Sequence, residues 1–501
     1  MIVRFLLLLS LLFGFATRAA ADDISAAGRG VVRIVTIAVV DGQVVGFGHG
    51  SGFAIAPNRI VTNAHVVDLA ERYPDNVVIG VVPSEGDKSY QGRVIAYDSQ
   101  ADLALIEFTG ERLPPNALYT GPVSEGDAVV ALGYPGNVDV ATARSAADYI
   151  RPMSPVRSEG VFSGRRSLTN VEVLLHTASI ARGNSGGPLL DRCGRVIGVN
   201  SAITRGEDGD ATFGFAIADT ELATFLREAK QPYASVGTAC TSIEERLRQD
   251  SDADARAVTD AAAAKREAAA RAGLAREAAL EQARVDGQRS RENVMAIAVL
   301  LLVLGALSIG AAGLLETQGR RRYALWALGG GAVGVLAAFT VFFLRPSGVV
   351  DVAADLPRPG AAIVADATLG KLTCRLVPER SRVTVSSSED VPLDWAKGGC
   401  MNGKTQYVPT NGRWEKVLVP DAEQTVSVST FDPATRTYAN TRYLMSAAGM
   451  TSARIARGEV PKTCTADETA LAKLGAAQAA VRATLPPLPN EKLVYSCTSA
   501  R

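Results

Sequence analysis

The sequence predicts an all-β domain, then a long helix, a membrane hairpin of two helices and a small α+β domain. Three observations carry this. Residues 24–240 consist of short β-branched runs such as "GVVRIVTIAVV", "RIVTNAHVV", "LALIEF" and "RVIGVNSAI", broken by Gly, Pro, Asn and Asp, a pattern that indicates a sandwich or barrels. Residues 241–292 are dominated by Ala, Arg and Glu, which are strong helix formers. Two uncharged apolar runs, 294–315 and 323–344, are each long enough to cross a hydrocarbon core of about 30 Å as a helix. A chain of 501 residues is expected to divide into two or three folded units.

The elements follow in chain order. Residues 1–21 carry Arg4, an apolar run from Phe5 to Phe15 and Ala19, Ala20 and Ala21 before Asp22, which reads as a cleavable secretory signal. Arg18 beside the cut leaves an uncleaved anchor as the alternative. The β-rich region ends in a helix from Asp219 to Lys230, capped by Asp219 or Thr220. Residues 241–292 read as a helical stalk, because alanine supplies too little apolar bulk for a core; the competing coiled coil lacks large apolar residues at a and d positions. Residues 316–322, with Arg320, Arg321 and Arg322, form a cytoplasmic loop under the positive-inside rule. Arg289 and Arg291 weigh the other way, and the exported N-terminus decides: both flanking domains lie outside. Gly330 and Gly334 have the spacing that lets two membrane helices approach closely, or merely supply flexibility; a buried hairpin of a soluble fold is the alternative to a membrane pair. Residues 346–501 read as an extracytoplasmic α+β domain of unknown function. It has no histidine and no nucleophile cluster, and is expected to bind an envelope partner.

Composition narrows the chemistry. The 52 basic and 52 acidic residues cancel, so no global basic field points to nucleic acid. The six cysteines, Cys193, Cys240, Cys374, Cys400, Cys464 and Cys497, all fall in the segments assigned outside, where disulfides form. Cys193 with Cys240 is the simplest local pairing, and the other four would staple the C-terminal domain. No C-x-x-C spacing occurs, and no metal or cofactor is expected.

The stretch "ARGNSGGPLL" presents Ser185 on a glycine-rich turn. A serine hydroxyl attacks a carbonyl only when a base takes its proton and backbone donors meet the oxyanion. "TNAHVV" offers His65 at the end of an apolar strand, and "ADLALIEF" offers Asp102 at the head of another. The Gly183 and Ser185 amides are placed to form an oxyanion hole. Asp98 reads as an Asx turn, His176 as structural and His49 as a loop residue.

With these words on the page, residues 48–218 resemble the chymotrypsin-like serine proteases, and among them the bacterial HtrA-type branch, through G-S-G-F, T-N-A-H-V, D-L-A-L-I and G-N-S-G-G-P-L in the order His, Asp, Ser. The separations are 37 and 83 residues. The resemblance implies two six-stranded β-barrels with substrate between them, a catalytic triad of His65, Asp102 and Ser185, and a pocket lined by Ser179, Ile180, Asn200, Ser201 and Ala202. That pocket holds no carboxylate, so cleavage after small or medium apolar residues is expected rather than after Lys or Arg. Asn184 stands where zymogen-activated relatives carry an aspartate, so activation by a freed N-terminus is not expected. Nothing after Lys230 suggests the PDZ module of HtrA-type chains. The expected function is a serine endopeptidase held in the bacterial inner membrane, acting on protein or peptide substrates on the periplasmic side. The alternatives are a catalytically silent sensor and an envelope scaffold.

Overall fold

The structure is a computed structural model and describes residues 22–204, 212–344, 369–386, 389–410, 413–459, 464 and 467–500. The signal read over 1–21 and the start of the C-terminal segment at 346–368 lie outside the described residues. Helix α1 (Asp23–Gly28) opens the described chain, with the Asp22 carboxylate accepting the Ile24 N–H at 3.1 Å. Six strands follow: β1 (Val31–Val40), β2 (Gln43–Ala56), β3 (Arg59–Thr62), β4 (Val77–Pro83), β5 (Tyr90–Asp98) and β6 (Leu103–Phe108). They close into a barrel in the order β1-β2-β3-β6-β5-β4, and α2 (Ala64–Arg72) lies between β3 and β4 in the chain. Val32, Ile34, Ile60, Val81 and Ile106 fill its interior; β-branched side chains suit such pleated, buried faces.

A second ring is built from β8 (Ala128–Gly133), β9 (Val156–Leu168), β10 (Val171–His176), β11 (Pro188–Leu190), β12 (Val196–Ile203) and β13 (Gly214–Ala218). The strands pair as β11-β8-β9-β10-β13-β12, and the β11–β12 pairing closes the circle. β7 (Leu118–Tyr119) and β14 (Ser235–Val236) extend it beyond β12. Helix α3 (Gly136–Thr142) and a 3-10 turn (Ala146–Ile150) sit between β8 and β9, and α4 (Asp219–Glu228) follows β13. Ala218, not Asp219, occupies the N-cap of α4; the Asp219 carboxylate turns instead to Arg165, 3.4 Å away. A third apolar cluster joins the rings, combining Phe53, Val61 and Leu103 of the first with Leu132, Tyr134 and Val199 of the second. That seam brings the ends of β3 and β6 to the loop before β11.

Helix α5 (Ile243–Thr317) runs unbroken through the expected stalk and the first apolar run, and α6 (Arg321–Phe343) covers the second. Both are long and apolar enough to cross a membrane. Residues 252–363 form a unit of their own. Within it the close approach is made by Gly331 rather than Gly330. A methyl group at 331 would lie 2.8 Å from the Gly305 carbonyl oxygen, whereas position 330 faces open space; Gly334 lies against Gly305 as well. Helical phase decides this, since one residue rotates a side chain by about 100°.

Among the described residues the C-terminal segment is a nine-stranded sheet with two α-helices. Its strands are β15 (Gly370–Leu376), β16 (Val391–Ala396), β17 (Cys400–Met401), β18 (Thr405–Gln406), β19 (Val408–Thr410), β20 (Arg413–Leu418), β21 (Thr425–Asp432), β22 (Thr437–Leu444) and β23 (Glu491–Ser499). They run in the order β18-β17-β16-β15-β23-β22-β21-β20-β19. Helices α7 (Ala447–Arg457) and α8 (Glu468–Arg482) precede the last strand. Disulfides join Cys193 to Cys240, Cys374 to Cys497 and Cys400 to Cys464. This sheet and the barrels belong to one unit, made of residues 1–251 and 364–501. Arg382 reaches Asp23 at 2.5 Å, Asn490 donates to the same carboxylate at 3.0 Å, and Arg29 donates to the Leu444 carbonyl at 2.8 Å.

Candidate active site

The first barrel supplies an imidazole and a carboxylate. Strand β3 ends at Thr62, whose hydroxyl donates to the Ser51 carbonyl at 2.7 Å, and Asn63 in extended geometry starts α2. Asn63 does not cap that helix with its side chain. Its amide donates instead to the Asp102 carbonyl oxygen at 2.8 Å. His65, in the first turn, gives its backbone N–H to Asp102 Oδ1 at 3.0 Å, and its Nδ1 lies 2.9 Å and 3.0 Å from the two carboxylate oxygens. With Nδ1 as donor, Nε2 is left as the basic nitrogen. Asp102 sits at φ 54° just before β6, a left-handed conformation that Asp adopts more readily than most residues.

Ser201, on β12 of the second barrel, donates its hydroxyl to Asp102 Oδ2 at 2.7 Å. Burial works to raise the Asp102 pKa. The hydrogen bond and charge of His65, its backbone N–H and the Ser201 hydroxyl outweigh burial and hold the carboxyl below the usual carboxylate range. The Ser201 carbonyl meanwhile accepts the Ser185 hydroxyl at 3.0 Å. Ser185, Ser201, Asp102 and His65 thus form one hydrogen-bonded chain across the seam, in which Ser185 engages Ser201 rather than the imidazole. Strand β2 lies between the two ends. The Ser51 N–H donates to the Ser185 carbonyl at 2.8 Å, and a methyl group on Gly50 would lie 2.7 Å from Val66 and 3.2 Å from the Ser185 carbonyl oxygen.

The loop that carries Ser185 needs glycine twice. Gly183 has φ 99°, and a Cβ there would come within 2.3 Å of the Tyr134 carbonyl oxygen. Gly186 has φ 88°, and a Cβ there would come within 2.2 Å of the Ser51 carbonyl oxygen. Neither position admits a side chain. The loop is pinned from β2 and α3: the Ser51 hydroxyl donates to the Gly183 carbonyl at 2.6 Å, and the Gly136 N–H donates to the Arg182 carbonyl at 2.6 Å. A peptide's C=O and N–H point in opposite directions, so the Gly183 N–H is turned away from Gly136.

The residues expected to line a pocket divide. Ser179 and Ala202 are exposed, and Ile180 packs on the second-barrel core. Asn200 is fully buried; its side-chain amide donates to the Gly187 and Pro188 carbonyls at 3.2 Å and 3.1 Å, which locks the loop to β12. Ser201 belongs to the Asp102 network. Asp98 makes the expected turn, accepting the Gln100 and Ala101 N–H groups at 2.8 Å and 3.0 Å. His176 is fully buried. His49 is not a plain loop residue: its Nε2 stands 3.2 Å from Asp139 Oδ2. No sequence motif marks the contacts of Ser201 and Asn63, since both depend on barrel closure across dozens of residues.

Residues 50–199 match the family model described as a trypsin-like peptidase domain. The chain is 35% identical over 199 residues to "Serine protease Rv3671c" of Mycobacterium tuberculosis, covering 38% of this chain and 45% of that protein. It is 32% identical over 209 residues to a "Probable periplasmic serine endoprotease DegP-like" of Chlamydia pneumoniae, covering 40% and 38%. The crystal structure of the active form of the Rv3671c protease aligns with a TM-score of 0.34 at 26% identity, over 44% of this chain and 89% of that one. The chain spans less than half the length of these two relatives.

Proposed function

Starting from a trypsin-like peptidase domain whose relatives are HtrA- and DegP-type serine proteases, we propose that the chain is a membrane-anchored serine endopeptidase of the bacterial envelope. The observation that carries this is the hydrogen-bonded chain from Ser185 through Ser201 and Asp102 to His65. In the reaction the Ser185 hydroxyl leaves the Ser201 carbonyl, gives its proton to His65 Nε2 and attacks the scissile carbonyl. Asp102 holds the imidazole with Nδ1 protonated and stabilises the imidazolium. The Gly183 and Ser185 amides meet the oxyanion, each worth roughly 3 kcal/mol in the transition state. His65 then donates its proton to the leaving amine, and water releases the acyl group from Ser185 by the reverse sequence.

Substrate is held as an added strand. Ser201, Ala202 and Ile203 lie on β12 beyond the residues that pair with β11 and β7, and this edge suits an extended peptide. Ile180 and Ala202 favour a small or medium apolar side chain before the cut. The two apolar helices anchor the protein, with residues 316–322 cytoplasmic and both ends of the chain on the periplasmic side.

Fluorophosphonate labelling tests the reading. The full chain in detergent should be labelled, and the labelling should vanish in Ser185→Ala. A silent sensor draws on one observation, the Ser185 hydroxyl engaged with the Ser201 carbonyl. It requires the folded wild type to remain unlabelled, and that result would remove the endopeptidase reading.

A further inference from the structure

Asp139 on α3 forms a second Asp–His pair beside the serine loop. Its carboxylate is buried. Oδ1 takes the Arg33 Nη2 donor at 2.7 Å, and Oδ2 faces His49 Nε2 at 3.2 Å. Arg33 comes from β1 and His49 from β2, so two strands of the first barrel meet one carboxylate of the second: Arg33 by a hydrogen bond, His49 by close approach without one. Arg33 is buried too, with its guanidinium 4.7 Å from the centre of the Tyr134 ring and donating to the Tyr149 carbonyl at 3.1 Å. The His49 ring packs against Tyr149 at 5.4 Å. A charge cluster this enclosed is costly unless its geometry is fixed. The fixed element here is α3.

That helix begins at the serine loop. Gly136, its first residue, holds the Arg182 carbonyl. A Cβ on Gly183 would lie 2.9 Å from His49 Nε2 and 2.9 Å from the Gly136 nitrogen, so Gly183 rests directly on the imidazole and on the start of α3. We propose that the Arg33–Asp139–His49 cluster positions the Arg182–Gly183 peptide, so that the first barrel sets the oxyanion-binding amide of the second. This rests on the serine-peptidase reading of Ser185. The three residues are positioning residues: Arg33 and His49 fix Asp139, Asp139 fixes α3, and the Gly136 N–H fixes which way the Gly183 N–H points. If the cluster is released, that peptide is free to turn over, which would direct the Arg182 carbonyl toward the developing oxyanion.

The test uses the detergent-solubilised full chain, a fluorogenic peptide substrate and a fluorophosphonate probe on wild type, His49→Gln, Asp139→Asn and Gly136→Pro. Proline suits the first position of a helix, so Gly136→Pro keeps all three ionic side chains while it removes the N–H that holds Arg182 and sets ring carbons against the Arg182 carbonyl oxygen and His49, each 3.3 Å from its Cβ; it carries the same expectation if Asp139→Asn fails to fold. Loss of one oxyanion donor lowers kcat roughly 100-fold. The expected result is a fall of that order for Gly136→Pro and Asp139→Asn, a smaller fall for His49→Gln, KM within about twofold of wild type, and parallel losses in labelling rate. A role confined to stability would lower the melting temperature and leave kcat per folded molecule unchanged. That outcome, with wild type labelled, overturns this inference alone. Wild type that resists labelling overturns the peptidase reading and this inference together.

Discussion

The protein contains two Asp–His pairs of nearly equal length in opposite surroundings. His65 and Asp102 lie 2.9 Å apart with side chains 50% and 28% exposed; His49 and Asp139 lie 3.2 Å apart with side chains 14% and 6% exposed. The third partner differs as well. Asp102 takes a neutral hydroxyl from Ser201, while Asp139 takes the buried Arg33 cation. Burial, together with the charge of Arg33, holds the His49 ring below the usual histidine range against the pull of Asp139. An aspartate beside a histidine therefore does not by itself make a catalytic base. In the proposed mechanism Asp102 has charge to spare for an imidazolium, whereas Asp139 is already paired with Arg33.

Substitutions break this comparison at different strengths. The largest effect is expected at Asp102→Asn, which keeps the shape of the site but not the tautomer of His65; kcat should fall about 10,000-fold, measured by peptide hydrolysis at saturating substrate. Next is Arg33→Met, which strands Asp139 without its cation. It should cost about 3–5 kcal/mol of stability, read from the shift in denaturant midpoint, and a change below about 1 kcal/mol would show that the pair is not buried as described.

The third histidine extends the comparison to a ring without a carboxylate partner. Burial pushes His176 down to about 4. The unfolded chain binds a proton below its own pKa of about 6.5, which the folded ring refuses until about pH 4. Stability should therefore fall as pH drops through this window, by about 3 kcal/mol in total. In His176→Leu the contribution disappears, and denaturation midpoints measured from pH 7 to pH 4 should show a flatter profile. The smallest effect is expected at Ser201→Ala, which removes one donor to Asp102 and spares the carbonyl that receives Ser185. A fall in kcat of about tenfold, with KM nearly unchanged, distinguishes orientation of Asp102 from a pocket role, which would act on KM.

How much of this was legible in the sequence depended on distance along the chain. The β-rich fold class was visible because each strand is a short β-branched run bounded by turn residues. His65 and Asp102 could be proposed as partners because each sits in a compact word at the end of a strand. Ser201 was visible only as a residue near a pocket, because its two contacts come from loops that barrel closure brings together. His49 looked like a loop residue for a similar reason: its partner Asp139 is on another ring, and the arginine that completes the cluster is on another strand. In the apolar hairpin, the G-x-x-x-G spacing picked out Gly334, which meets Gly305, but put the other glycine one residue early: Gly331, not Gly330, makes the second contact. The single helix from Ile243 to Thr317 could not be anticipated from a change in composition at 292, because alanine-rich and leucine-rich segments both propagate a helix. The docking of the C-terminal sheet on the barrels left no local mark at all.

That docking bears on how the protein is made. Asp23 precedes both apolar helices in the chain, while its counterparts Arg382 and Asn490 follow them and are synthesised later. The barrels' opening segment must therefore wait, uncovered, until the chain beyond the second apolar helix has been made. A ribosome stalled after the second apolar helix would deliver Ser185, His65 and Asp102, yet leave α1 without the sheet that packs on it.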